Sequence, residues 1–254
     1  MNTIKTSIII ALVLVTSVAV KAQDAKLIPT ELILVNYFYA GKDYLFQKYT
    51  ENDHFPVDTL LYISITTEAY YNSLKESQIS YIVVDTANHY KKDSILILPV
   101  GETHIEFADV EIDNDSLERF YYMGQIPFLN SYLMLLVGWE YFDYFLIDKT
   151  TGERSEFVFD DYPFISPNKK YMVCIYANPY SMCAEMQVFK IADNKLNFLY
   201  SFDFVNWMPT AEGTSLVWID DNSFVVKAVH PKSFWDKEGN QNENGEYIKI
   251  EILK

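Results

Sequence analysis

The sequence predicts an all-β protein, and three observations carry that expectation. Runs of β-branched and aromatic residues of strand length recur along the chain, several alternate with period two, and helical periodicity is short and rare. ELILVNYFYA (31–40), LLYISIT (60–66), SYIVV (80–84), SILIL (94–98) and YLMLLV (132–137) are such runs. So are YFDYFLI (141–147), YMVCIYA (171–177), SLVWI (215–219) and SFVVKAV (223–229). LNFLYSFDF (196–204) alternates so that Leu196, Phe198, Tyr200, Phe202 and Phe204 are expected on one face. YIKIEIL (247–253) likewise sets Ile248, Ile250 and Ile252 against Lys249 and Glu251. Period two over such lengths describes a half-buried strand. Two short helical signals stand apart. AYYNSLKESQ (69–78) suits about two or three turns, and Asp115 with Glu118 has the spacing of a cap and its reciprocal partner, opening a turn or two before Gly124.

The first 22 residues read as a secretory signal, with 23–254 as a single mature domain. Lys5 gives a positive start, IIIALVLV (8–15) opens an apolar core, and Val20 and Ala22 place small residues before Gln23. The alternative is an uncleaved anchor, for which the run is short of the roughly 20 residues that a spanning helix needs. The expected mature protein is therefore exported, periplasmic or extracellular, without a stable membrane anchor.

The chain's 20 Lys and Arg against 35 Asp and Glu give a net charge of −15, which becomes about −17 without Lys5 and Lys21. That balance excludes a nucleic-acid binder, whose affinity comes from neutralising phosphates. It suits a well-solvated surface, basic protein partners or divalent cations. An apolar content of 50% excludes a disordered chain, and two cysteines exclude a disulfide scaffold or a four-cysteine zinc module.

Hairpin signals punctuate the second half. YFLIDKTTGERSEF (144–157) is strand, tight turn, strand, with Gly152 free to take a positive φ and Asp148 placed to accept from the turn backbone. IADNKLNF (191–198) and WIDDNSFVV (218–226) repeat that logic with Asp and Asn at the bend. PFISPNKKYMVCIY (163–176) and NWMPTAEGTSLVW (206–218) each run through a proline-containing turn into an apolar strand, and Pro167 and Pro209 stand 42 residues apart. Such a period is the size of a propeller blade.

SPNKKYMV (166–173) and WMPTAEGTSLVW (207–218) resemble the turn-and-strand of TolB-like and WD-type β-propeller repeats, and FLIDKTTGE (145–153) is similar to the hairpin of quinoprotein-type blades. Asn168 and Lys169 stand where those repeats carry Asp-Gly, Thr210–Glu212 add length, and the Trp-Asp dipeptide is absent. The resemblance covers about residues 128–230. It implies a propeller-like scaffold of about five blades, irregular over 41–130, with ELILVNYFYA and YIKIEIL sharing the closing blade. A β-sandwich is the alternative.

Four constellations bear on chemistry. Glu102, His104 and Glu106 alternate along GETHIEF, so a strand would project all three from one face, where carboxylates and an imidazole hold a divalent cation. A polar strand edge with Ile105 and Phe107 behind it explains the same pattern. Asp236, Glu238 and Asn240 open an oxygen-rich loop, DKEGNQNENGE (236–246), that suits calcium, although Gln241 and Tyr247 break the calcium-hand spacing; a solvated hairpin loop is the alternative. Cys174 and Cys183 flank a short turn in a chain expected to be exported, which allows a cross-hairpin disulfide or two free thiols. The 41 aromatic residues suit either core packing or a platform for glycan or protein.

No nucleophile-elbow or zinc-protease motif is present, the four histidines are scattered, and no catalytic residue or cofactor is assigned. The expected function is a non-catalytic binding or protein-interaction module with a protein or glycan partner. The alternative is an envelope hydrolase acting on glycan or peptide, with carboxylates gathered at the mouth of the scaffold.

Overall fold

Burial on one face or on two decides how each strand of this protein reads. The computed structural model describes residues 37–40, 47–48, 61–85, 89, 91–111, 116–204, 207–209, 215–240, 242 and 245–253. The signal segment lies outside them. The strands are antiparallel throughout and form four sheets, so the protein is all-β. Sheet I is the hairpin β4 (Ile95–Val100) and β5 (Thr103–Ala108). Sheet II is the meander β6 (Glu118–Ile126), β7 (Ser131–Gly138), β8 (Phe142–Asp148) and β9 (Arg154–Phe159). Sheet III repeats that meander as β10 (Phe164–Ile165), β11 (Tyr171–Asn178), β12 (Cys183–Ala192) and β13 (Lys195–Asp203), and β1 (Tyr37–Ala40) and β2 (Gln47–Lys48) extend it. Sheet IV joins β14 (Met208–Pro209), β15 (Val217–Trp218), β16 (Ser223–Val229) and β17 (Glu246–Ile252) to β3 (Leu61–Thr66).

The sheets stack in chain order, each face burying the next. Leu96 and Leu98 of sheet I meet Tyr122, Tyr132, Met134 and Phe145 of sheet II. Leu133, Tyr144, Leu146 and Phe159 meet Met172, Cys174, Phe189 and Ile191 across sheets II and III. Val173, Ile175, Met186 and Val188 meet Ile63, Phe224, Val226, Ile248 and Ile250 across sheets III and IV. Each such side chain contributes roughly 1.5–3 kcal/mol on leaving water. Strands buried on both faces need apolar residues at nearly every position, so β7, β11 and Tyr144–Ile147 of β8 read as apolar runs.

Helix α1 (Glu68–Lys75) covers the outer face of sheet IV through Tyr71, which packs on Val217 and Val225. Thr67 caps it, its hydroxyl accepting from the Tyr70 amide at 3.1 Å. The helix expected over 69–78 is therefore present, one residue earlier at its start. Among the described residues no core cluster joins sheet I to sheet IV.

Several expectations are corrected. The strand that pairs with YIKIEIL is β3, through Ile63↔Ile250 and Leu61↔Ile252, whereas Tyr37–Ala40 of ELILVNYFYA pairs with β13. The β3 register lays Leu61 and Ile63 beside Ile250 and Ile252 on the face that sheet III buries. LNFLYSFDF does not present one face. A register shift after Val188↔Tyr200 leaves Leu199 as an extra residue, so Leu196 and Phe198 turn to sheet II while Tyr200 and Phe204 join the core with sheet IV. Of the turn expected from Asp115 and Glu118, Asp115 lies outside the described residues, and from Glu118 the chain runs as β6, with Phe120 and Tyr122 taken into the core with sheet I. SYIVV makes only a bridge, Val83 to Gln125. Gly124 permits that approach: its φ is +137°, and a Cβ there would lie 2.8 Å from the Val83 carbonyl oxygen.

Candidate functional site

The connections between strands fall at two ends of the stack. At one end lie the turns β6–β7, β8–β9, β10–β11, β12–β13 and the bend before β16. The spacing of Asp, Asn, Ser and Gly had identified most of these. The Asp148 carboxylate accepts from the amides of Thr150 and Thr151, and Gly152 takes φ +77°. Ser166 is fully buried, its hydroxyl accepting from the amides of Lys170 and Tyr171 and donating to Asn168 Oδ1. Asp193 and Asn194 take φ +52° and +56° in a two-residue turn. Asp220 accepts from the amides of Asn222 and Ser223, which with the Ser223 hydroxyl holds its carboxyl below the usual range against the effect of burial. These turns are held by their own polar side chains and by their neighbours, the Lys149 amide donating to the Asn130 carbonyl at 2.9 Å.

The opposite end is of another kind. The β7–β8 turn there carries Trp139, Tyr141 and, at the strand start, Phe142, all more than a third exposed. Tyr180 (87% exposed) and Met182 (57%) stand on the β11–β12 turn, where Asn178 Oδ1 accepts from the amides of Tyr180 and Ser181. Trp235 (42%) stands on the β16–β17 connection. Ring contacts knit the three connections together. Phe142 lies 5.8 Å from Tyr176 across sheets II and III, and Tyr180 lies 5.8 Å from Trp235 across sheets III and IV. Gly138 is required beside the first of these turns, since a Cβ there would lie 2.1 Å from the Tyr141 ring.

Carboxylates gather in the cleft between sheets II and III at this same end. Asp160 follows β9, and its amide donates to Gln187 Oε1 of β12 at 3.2 Å. Register places Tyr176, Glu185 and Asp203 in one row across β11, β12 and β13. Burial, then the charges of Glu185, Asp143 and Asp161, raise the Asp160 carboxyl to about 7. Burial also raises Glu185, assisted by Asp203 and opposed by a hydrogen bond with Ser201. Asp143 is raised by burial against the pull of Arg154, and Asp203 by burial. Among the described residues, none of Asp143, Asp160, Glu185 and Asp203 forms an ion pair with a lysine or arginine. Cys174 lies beneath, fully buried, its thiol pushed up by burial and by Asp160 and Asp161. Burial and mutual repulsion thus raise a group of carboxyls that lies beside the Tyr176 position of the sheet.

A second polar group joins Asp85 and His89 to sheet II. Asp85 accepts from the Tyr122 hydroxyl and from Gln125 Nε2 (2.9 Å), and Lys149 Nζ donates to Gln125 Oε1 (2.5 Å) while lying 4.8 Å from the Tyr132 ring centroid. The Tyr122 hydrogen bond is the main reason that Asp85 stays below the usual carboxylate range, and burial raises Tyr122. The His89 ring packs 4.6 Å from that of Tyr122. These groups satisfy one another, which makes the network a fastening.

The residues singled out in the sequence lie elsewhere. His104 Nε2 is 3.2 Å from Glu106 Oε1 on the exposed face of β5, with Ile105 and Phe107 turned inward, but Glu102 sits in the preceding turn. Among the described residues no three His, Cys, Asp or Glu side chains are grouped to hold a metal. Asp236 accepts from the amides of Glu238 and Asn240 and from Asn240 Nδ2, so 236–240 closes as a turn, while 241, 243 and 244 of the oxygen-rich loop lie outside the described residues. Of the two alternatives for the cysteines, a disulfide or free thiols, both thiols are free: Cys174 stands opposite Gln187 and Cys183 opposite Asn178, four positions along the ladder. The available signal for the aromatic end was an aromatic residue inside a turn, as in Gly138–Trp139–Glu140–Tyr141 and Asn178–Pro179–Tyr180, where polar residues are the norm. No family model, curated protein or solved structure matches the chain.

Proposed function

We propose that the protein is an exported, non-catalytic interaction module, built on irregular propeller-like sheets, that engages a partner through its aromatic end. One observation carries this reading: the corresponding connections of three successive sheets each hold at least one aromatic side chain exposed, Trp139 and Tyr141, Tyr180, and Trp235. Aromatic residues exposed together at matched positions favour an interface, since they supply large contact area with little side-chain entropy to lose. The test is capture of partners from envelope extract by tagged protein, read by mass spectrometry. Wild type is expected to retain one stoichiometric protein that the Tyr180→Ala/Trp235→Ala variant loses. Equal capture by both would overturn the reading.

The acidic cleft favours a second reading, a hydrolase of glycan or peptide. Asp160, protonated near neutrality, would be the acid, and Glu185 the carboxylate partner. Turnover of a glycan or peptide library that is abolished by Asp160→Asn and by Glu185→Gln would support it. An inert wild-type protein would overturn it.

A further inference from the structure

We infer that the partner segment taken by the aromatic end is cationic, a stretch of protein that presents arginine or lysine side chains. This rests on the interaction-module reading above and adds the chemistry of the partner. The aromatic side chains of Trp139, Tyr141, Tyr180 and Trp235 are exposed, and carboxylates share their turns and the adjoining strand ends. Glu140 is at the tip of the β7–β8 turn, and Asp143 follows at the start of β8. Glu185 and Asp203 share the row with Tyr176, whose ring meets Phe142. Asp236 and Glu238 follow Trp235.

A guanidinium or ammonium is the group that satisfies both kinds of surface. It stacks on the ring face through the quadrupole and pairs with the carboxylate beside it. Cations of the chain's own are few here. Arg119, on the neighbouring strand, is held by Glu111 at 2.7 Å, Arg154 lies 3.9 Å over the Phe145 ring and acts on Asp143 without an ion pair, and Lys232 and Lys237 lie on the β16–β17 connection. A neutral sugar would use the rings and leave the acids without a counter-charge. A second copy of this chain, with its net charge of −15, would bring acid to acid.

The experiment uses fluorescein-labelled octa-arginine as the probe, with anisotropy as the readout. Wild type is expected to bind it, with affinity falling steeply as salt rises. Tyr180→Ala/Trp235→Ala is expected to weaken binding at least tenfold, while Tyr70→Ala, an exposed ring on α1, leaves it unchanged. Absent binding at low salt, or binding indifferent to the Tyr180 and Trp235 substitutions, overturns the inference, because an acidic surface attracts polycations anywhere. So does a neutral chito-oligosaccharide that binds more tightly than octa-arginine and is lost in the same variant. If octa-arginine fails while capture of an envelope partner still depends on Tyr180 and Trp235, only the cationic class falls. If that capture is also indifferent to them, the interaction-module reading falls with it.

Discussion

The two ends of the sheet stack are built from the same topology and opposite chemistry. At the turn end Asp148, Ser166 and Asp220 accept the backbone amides that a reversing chain leaves over. At the aromatic end the reversals at 139–140 and 179–182 place Trp139 and Tyr180 outward, and the carboxylates in the cleft behind them are pushed toward protonation by burial and mutual repulsion. Turn chemistry is present on the aromatic side too, where Asn178 and Asp236 each accept the amides of their own turns. The contrast shows that a meander needs turn chemistry to close but does not need exposed aromatics, so their presence at one end asks for another cause.

If the turn end is structural, its largest single vulnerability is Ser166. Removing the fully buried hydroxyl in Ser166→Ala leaves the Tyr171 amide short of an acceptor, while the Lys170 amide keeps Asn168 Oδ1 at 2.9 Å, and is expected to cost about 2 kcal/mol in urea unfolding. A cost under a few tenths would mean that water serves the turn equally well.

The aromatic end is expected to gain stability where the turn end loses it. The Asp160 carboxyl sits near 7 in the folded protein against 3.8 for an ordinary aspartate. Between those values the native state holds a proton that the unfolded chain has released, so stability falls as pH rises through that window, and the penalty is complete above 7. Asp160→Asn is expected to stabilise the protein at pH 8 by on the order of 2 kcal/mol, after discounting for water at the cleft mouth, and to change nothing below pH 4. Equal slopes of melting temperature against pH in the two proteins would contradict this.

Gly138→Ala sharpens the comparison from the packing side. Its new Cβ must displace the Tyr141 ring, at an expected cost of about 1 kcal/mol, with Tyr141 turned further into water. The smallest effect belongs to Lys169, which holds φ +58° where the resembling repeats have glycine, and whose Nζ lies 4.8 Å from the Tyr81 ring centroid. Lys169→Gly relieves the backbone and removes the cation–π contact, contributions of about 0.5–1 kcal/mol each, so the net change in melting is expected to be close to zero. A clear gain in stability would show the ring contact to be idle.

Much of the fold was legible because double-sided burial writes long apolar runs, as in YLMLLV and YMVCIYA, and because Gly152, Asp148 and Asp220 advertise their turns. The partner of YIKIEIL was not, since LLYISIT and ELILVNYFYA are equally strand-like and only tertiary packing chooses between them. Nor was the Leu199 bulge, which alternation along LNFLYSFDF gives no reason to expect. The cleft was hidden for a different reason. Asp160, Glu185 and Asp203 are far apart in the chain and meet only through the registers of β12 and β13 and the stacking of two sheets. Glu102, His104 and Glu106 show the converse: a regular spacing along one strand is cheap to find and, with Glu102 left in the turn, brings only two of the three side chains together.

The central claim, that one end meets a partner and the other closes the fold, is tested most directly by site-specific crosslinking. A photoreactive benzophenone side chain is placed at position 180 on the aromatic end and, separately, at position 169 on the turn end. Each protein is then irradiated in envelope extract. Crosslinking to one discrete partner from position 180 and none from position 169 is the expected result. Equal yields from both positions, or a partner reached only from 169, would contradict the account.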